Sequence, residues 1–352
     1  MRGCFLLSPW YAFDLKGFRM KITDVKTIRF KYTSKSERDT DGHGHPGPEH
    51  EAIQTLLQID TDEDVSGYWF GANPSVIQSV IKPALVGLDP FNREWIWDDL
   101  NQRQRLNMGT MGDRVLCGVD CALWDLAGKI LGVPSTVLLG GKFRDKVRVY
   151  DHARPRDLLN RSSCEEWAQQ VKEDPAGITC HKFGFAHTTP DTDAGRDLAN
   201  RVLTVRELRQ IEEGFANCRE ALGWDHDIMV HCHWEYDVRT AIQIAEAVAP
   251  IKPLWLEDAM IVNHSESWKR LTASSPVPIC TGENLWRRHE FADFIVHQGC
   301  DILHPDLRNS GGFLENKRIA DIAEVWGLPM ATHNTGSQLN TWATCQWAGS
   351  IR

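Results

Sequence analysis

The spacing of apolar and polar positions divides this chain into two unlike parts. From Met20 to about Asp62 the pattern alternates with period two. KITDVKTIRFKYT (21–33) and EAIQTLLQIDTD (51–62) are rich in β-branched residues and predict strands. The polar, Gly/Pro-rich SKSERDTDGHGHPGPEH (34–50) between them predicts a loop. From Pro74 to Leu131 the period lengthens to that of a helix. Ser75–Leu85 is one amphipathic stretch, and Arg114–Leu131 is a longer one with Val115, Val119, Ala122, Leu123 and Leu126 on one stripe. Gly132-Val133-Pro134 stops it.

A different rhythm begins near Lys146. Short apolar runs alternate with amphipathic helical segments such as ELRQIEEGFANCREAL and VRTAIQIAEAVAP. The runs are VRVYDHA, ITCHKFGF, HDIMVHCH, PLWLED, VPICTGEN, DILHPD and LPMATHN, which predict seven parallel staves. A longer stretch separates the second and third and predicts an added loop. Five of the runs close on a polar residue: His231, Glu257, Glu283, Asp306 and His333, spaced 26, 26, 23 and 27 residues apart. That is the length of one βα unit. Chemistry repeated once per unit at strand ends is gathered at one mouth when the strands close into a barrel. The chain ends at TCQWAGSIR soon after the seventh run, so the eighth stave of a closed barrel would come from a missing segment or another closing element.

Composition narrows the class. The 352 residues suit one barrel and a smaller domain, and 42% hydrophobic with 25% charged residues is ordinary for a globular enzyme. A net charge of -9 without basic runs argues against a nucleic-acid surface. Ten scattered cysteines without CxxC pairs point to a reduced, cytoplasmic setting. No run reaches transmembrane length. Residues 1–19 carry a short apolar stretch broken by Pro9 and read as a disordered or non-native extension ahead of a natural start at Met20. The expected domains are therefore 20–142, an α+β unit, and 143–352, the barrel. The fourteen tryptophans have no account at this level.

Glu257 and Glu283 end neighbouring staves, and His231 ends the stave before them. Two carboxylates and an imidazole so placed can hold a divalent cation. Taken singly, the glutamates could be ion-pair partners and His231 a satisfied core imidazole; three in register make that coincidence improbable. Asp306 and His333 end the next two staves. A carboxylate beside an imidazole fixes its tautomer and raises its basicity, which suits a general base, although a structural pair has the same signature. Lys182 closes the second stave, where an ammonium can meet a carboxylate or a developing enolate oxygen; a surface lysine with a buried stem is the alternative. His233 shares a strand face with His231 and is a general acid, the ligand in place of His231, or a residue that merely hydrogen-bonds. His43 and His45 lie in the Gly/Pro-rich stretch, where a loop could close over the mouth and read the far end of a substrate, or simply remain solvated.

With these residues in view, the chain resembles the enolase superfamily, in its mandelate racemase / muconate lactonizing branch. The resemblance runs from Met20 to the end and rests on GVDCALWDLAGKILGVPSTVLLGG (118–141), PLWLED (253–258), TGEN (281–284), HPDL with SGG (304–307, 310–312) and ATHN (331–334). It implies a modified TIM barrel, (β/α)7β, under an N-terminal α+β capping domain. It implies Mg2+ held at the ends of the third, fourth and fifth strands, abstraction of a proton α to a carboxylate, and an enediolate stabilised on the metal. On that template Glu257 and Glu283 are ligands, Asp306–His333 is the base dyad, and Lys182 is the first lysine of a Lys-x-Lys pair. Homo-oligomers from dimer to octamer are the rule in the family.

Two positions depart from that template. The second lysine is Gly184, which favours chemistry from one face over racemisation. The third-strand ligand, usually Asp, is His231; an imidazole there removes a charge and a hard oxygen, lowering Mg2+ affinity in favour of Mn2+ or another divalent transition metal. VHCHWEYD resembles the Asp-x-His of galactonate- and mannonate-dehydratase-like members, whose histidine, here His233, protonates the departing hydroxyl. The expected activity is that of an acid-sugar dehydratase giving a 2-keto-3-deoxy acid. The alternatives are another enolate reaction (epimerisation or cycloisomerisation) or a degenerate member that binds a sugar acid without chemistry.

Overall fold

A computed structural model describes residues 20–38, 44–104, 113–185, 202–234 and 236–352. Residues 1–19, His43 and most of the long stretch between the second and third staves lie outside the described residues. The first part is a three-stranded antiparallel sheet in the order β1-β2-β3, with β1 Ile22–Arg38, β2 Gly44–Thr61 and β3 Ser66–Phe70. Its inner face presents Ile22, Val25, Leu57, Ile59 and Trp69, all buried. The helix Asp113–Leu131 packs on that face, its Val115, Val119, Ala122, Leu123 and Leu126 stripe buried in the same core. The expected helix at Ser75–Leu85 is a continuous helical run through Pro74–Val76, a π-helical turn Ile77–Ile81 and Lys82–Leu85.

The strands depart from the sequence pattern at two places. Most of the polar 34–50 stretch is not a loop: β1 runs to Arg38 and β2 starts at Gly44, with Ser36 opposite Pro46 and Glu37 opposite His45. The ladder tolerates this composition because its register shifts between Ser34 and Ser36, where Pro46 and Pro48 cannot donate amides. The strand β3, SGYWF, carries no pattern that predicts it; it is short and follows a turn, and only its pairing with Leu56–Asp60 of β2 defines it.

The second part is a parallel sheet in sequence order: β4 Cys180–Gly184, β5 Asp227–His231, β6 Leu256–Glu257, β7 Ile279–Thr281 and β8 Ile302–Leu303. Single parallel bridges, Asp151 to His181 and Leu303 to Met330, add the first and seventh staves at its two edges. The helices Arg161–Glu173, Val205–Leu222, Val238–Val248, Glu266–Ser274, Arg287–Val296 and Gly312–Val325 carry the chain between staves. Their inner faces and the strand residues that point outward to meet them form a second apolar core. Among the described residues no eighth strand follows. The chain instead passes through the helix Gln338–Ala348, and the Phe143 amide donates to Gly349 O at 2.8 Å.

One of the seams between the two parts lies just beyond the sixth stave. Trp97 Nε1 donates to Gly311 O at 2.8 Å, and the Phe313 amide donates to Asp120 Oδ2 at 2.7 Å. Asp120 thus satisfies an amide that the first turn of helix Gly312–Val325 leaves without an intrahelical acceptor. Trp124 packs on Phe313 and Trp97 stacks on Trp286, which gives several of the tryptophans a role that composition did not explain. Gly312 has φ +86°, and a Cβ there would stand 2.2 Å from Asp120 Oδ2, so only glycine fits. The seam follows directly on Asp306 and fixes the sixth stave's end.

Burial pushes the Asp120 carboxyl up to about 7, against the Phe313 amide and the Arg93 guanidinium, which pull it down. Because the folded value lies above the ordinary one, the folded chain holds the extra proton. This group's contribution is fully present below about pH 4 and is lost as pH rises towards 7. Asp120→Asn should therefore gain stability relative to wild type across that interval, in urea melts at fixed pH. Gly312→Ala should cost about 2 kcal/mol or more in the same melts, through strained backbone and overpacking.

Candidate active site

The mouth is built from the C-terminal ends of the staves. His231 is paired in register with Glu257 on the adjacent strand. Glu283 lies two residues beyond β7 and Asp306 three beyond β8. The chain turns sharply at this end: His233, Trp234 and Asp258 all have positive φ (55°, 64° and 47°). Three non-glycine residues in the left-handed region within two adjacent loops mark a backbone held by its surroundings, since each costs of order 1 kcal/mol or more. Trp234 N donates to Asp258 O at 2.6 Å and ties the two loops together.

Glu257 is the centre of the arrangement and is completely buried. Its Oε1 accepts from Lys182 Nζ, and its Oε2 accepts from Trp255 Nε1 at 2.7 Å. His231 Nε2 stands 3.6 Å from Oε1, and His304 Nε2 stands 3.5 Å from it. Burial alone would raise the Glu257 carboxyl; His304, the Lys182 ammonium and His231 hold it well below its usual range. Burial also favours neutral His231, but Glu257, Asp258 and Glu283 outweigh it and raise the imidazole. Lys182 is fully buried between Glu257 and His304, so its ammonium faces the carboxylate from beneath the mouth.

Ligand atoms of His231, Glu257, Asp258 and Glu283 all lie within 4.8 Å of one another. His231 Nε2, Asp258 Oδ2 and Glu283 Oε2 are buried without a hydrogen bond to satisfy them. Orphaned donor atoms of imidazole and carboxylate type, converging on one point, fit a divalent cation. His233 does not join that group. Its ring stacks on the His231 ring at 3.8 Å between centroids, on the side of Gly184. A Cβ at Gly184 would meet His231 O at 2.7 Å and His233 Cε1 at 3.3 Å. The position that the resemblance gives to a second lysine is thus filled by an imidazole from the neighbouring stave.

Asp306 and His333 are brought together, with His333 Nδ1 at 2.8 Å from Asp306 Oδ2. The other ring nitrogen, Nε2, is 3.1 Å from Glu283 Oε2. Asp306 Oδ1 accepts from the Arg308 amide at 2.7 Å. Burial would raise the Asp306 carboxyl, but the hydrogen bond from His333 and the charge of Arg308 hold it low. A carboxylate ionised at that place keeps Nδ1 protonated and leaves Nε2 to face the mouth.

His45 lies on β2 opposite Glu37. Several residues at the mouth were not found from sequence. Tyr150, on the first stave, packs on Trp255 and His304 and donates to Thr332 O at 3.2 Å. His152 follows two residues later on the same strand face. Crowding by surrounding atoms and the Lys182 charge bias its imidazole to the neutral form, although its surface is open to solvent at the mouth. The available signal was alternation along VRVYDHA. For His304 it was the HPD triplet, and for Asp258 the acid next to Glu257, which strand alternation would turn away from the mouth.

Residues 47–140 match the family described as the mandelate racemase / muconate lactonizing enzyme N-terminal domain, and residues 165–352 match the enolase C-terminal domain-like family. The chain belongs to the mandelate racemase / muconate lactonizing enzyme family. This member is 33% identical over 305 residues to D-xylonate dehydratase of Haloferax volcanii, covering 84% of this chain and 72% of that protein. It is 29% identical to D-galactonate dehydratase of Variovorax paradoxus, over 79% of this chain and 70% of that one. Among solved structures it superposes on D-glucarate dehydratase of Agrobacterium tumefaciens, complexed with magnesium, with TM-score 0.81 and 28% identity, over 95% of this chain and 85% of that chain. The fold is therefore the family's modified TIM barrel with an N-terminal capping domain.

Removing one member of a fully buried ion pair strands the other. Lys182→Met should cost about 3–5 kcal/mol in urea melts run with a chelator, and less with excess divalent metal to neutralise Glu257.

Proposed function

We propose that this chain is a metal-dependent acid-sugar dehydratase, a hydro-lyase that converts a sugar acid to its 2-keto-3-deoxy product. The observation that carries the reading is the distance between two functions at one mouth. His333, paired with Asp306, stands 3.1 Å from Glu283, itself a member of the cation-binding group. The relatives named for D-xylonate and D-galactonate, and the structural neighbour named for D-glucarate, support a sugar-acid substrate.

A divalent cation, which we infer to be Mg2+ with Mn2+ as the alternative that His231 favours, would be held by His231, Glu257 and Glu283 and would supply Lewis-acid binding of the substrate carboxylate and 2-hydroxyl. His333 Nε2 takes the proton from the carbon α to the carboxylate. Asp306 holds the ring in the tautomer that leaves Nε2 able to accept it, and stabilises the imidazolium that results. Lys182 keeps Glu257 ionised and in place, and its charge adds to the positive field where the enolic anion forms. His233 donates a proton to the β-hydroxyl as its C–O bond breaks, so water leaves and the enol relaxes to the keto acid. Gly184 carries no base, and deprotonation is one-sided.

A panel of sugar acids assayed with Mg2+ and with Mn2+ for 2-keto acid should give turnover with at least one. Absence of product from every member with both ions would refute the reading. His333→Asn should lower kcat by about 10²–10⁴ and abolish exchange of the α-proton with solvent deuterium. His233→Asn should suppress dehydration while that exchange continues, which separates the acid from the base.

A further inference from the structure

We propose that Asp258 is itself a metal-binding carboxylate of this mouth and supplies the negative charge that His231 does not. The inference rests on the reading of the mouth as a divalent-cation site, and it changes the ligand set from three residues to four.

Successive side chains of a strand point to opposite faces, so Asp258 should turn away from the face that Glu257 presents. It does not. At φ +47° the backbone leaves the extended region immediately after β6, and both carboxylates reach the mouth. An aspartate in that region carries a conformational cost, and the chain holds it there with two backbone bonds. Asp258 N donates to Cys280 O at 3.0 Å, and Asp258 O accepts from Trp234 N at 2.6 Å.

The side chain is equally fixed. Oδ1 accepts from Thr281 Oγ1 at 2.6 Å. Oδ2 is buried and has no hydrogen-bond partner. Its neighbour is His231 Nε2 at 3.8 Å, too far for a hydrogen bond, and that nitrogen is also unsatisfied. Two unsatisfied polar atoms in a residue pair with essentially no solvent access are costly unless something else binds both. Separations of 3.6 and 3.8 Å from His231 Nε2 to the Glu257 and Asp258 oxygens, inside a group spanning at most 4.8 Å, match ligand atoms on one ion with bonds of about 2.0–2.5 Å.

The charge count explains why the fourth residue matters. With neutral His231, the carboxylates of Glu257, Asp258 and Glu283 give three negative charges and three hard oxygen donors. That equals what an aspartate at 231 with two glutamates would provide. The expected loss of Mg2+ affinity through His231 is thereby offset, and an imidazole nitrogen is added that also suits Mn2+.

The test uses the full chain freed of metal by a chelator, then titrated with Mn2+ while the free ion is followed by electron paramagnetic resonance. Wild type should bind one Mn2+. Asp258→Asn, checked for native circular dichroism, should bind about tenfold more weakly or worse. His231→Asp in the Asp258→Asn background should recover the affinity by restoring the third carboxylate. In Mn2+-loaded wild-type crystals an Asp258 oxygen should lie about 2.1–2.6 Å from the ion. This arm decides the matter if the single variant does not fold. Equal Mn2+ affinity in wild type and Asp258→Asn, or an ion that Asp258 does not touch, overturns the inference and leaves the metal site standing. Failure of wild type to bind Mn2+ overturns both.

Discussion

The mouth is organised around one carboxylate that water cannot reach. Glu257 is surrounded by Lys182, Trp255, His231 and His304, and an ionised group in such a place persists only if each neighbour stays where it is. Lys182 comes from the second stave, His231 from the third and His304 from the sixth. The requirement to neutralise and hydrogen-bond one buried anion therefore ties distant staves to a common geometry. The interior beneath it follows the same logic, with Tyr150 reaching from the first stave to His304 and to Thr332 O beside the seventh.

That constraint also explains the strained backbone above it. His233, Trp234 and Asp258 adopt left-handed conformations in the loops that follow the third and fourth staves, and a Trp234–Asp258 backbone bond locks them together. The result is unlike the plain alternation of a strand. Two consecutive acids face the same way, and His233 lies over His231 in space that Gly184 leaves open. The two faces of the mouth are accordingly different: an Asp-supported imidazole on one side and a His-stacked imidazole on the other. The capping unit contributes at a distance, because Asp120 and Trp97 clamp the 311–313 turn that follows Asp306.

How much of this could be read in advance depended on the range of the interaction. Amphipathic helices announced themselves because their buried stripes are local patterns; Val115 through Leu126 is the plainest case. The hairpin extending through Ser36 and Arg38 was missed because its residues are polar, and only cross-strand pairing makes them strands. β3 was missed for the same reason. Lys182 is legible at the end of the second stave, yet no local pattern shows that its ammonium is sealed beneath the mouth rather than open to it.

The sequence by itself determined the βα rhythm, the parallel order of staves and the five polar residues that end them, because strand and helix periodicity are properties of neighbouring residues. It also carried the motifs that place the chain in its family. Only the tertiary structure decided that Asp258 joins Glu257, that His231 groups with these carboxylates while the His233 ring stacks on it, and that Gly184 yields its space to an imidazole. Those outcomes depend on a few dihedral angles held by bonds between loops far apart in the chain, and no local pattern of residues encodes such bonds.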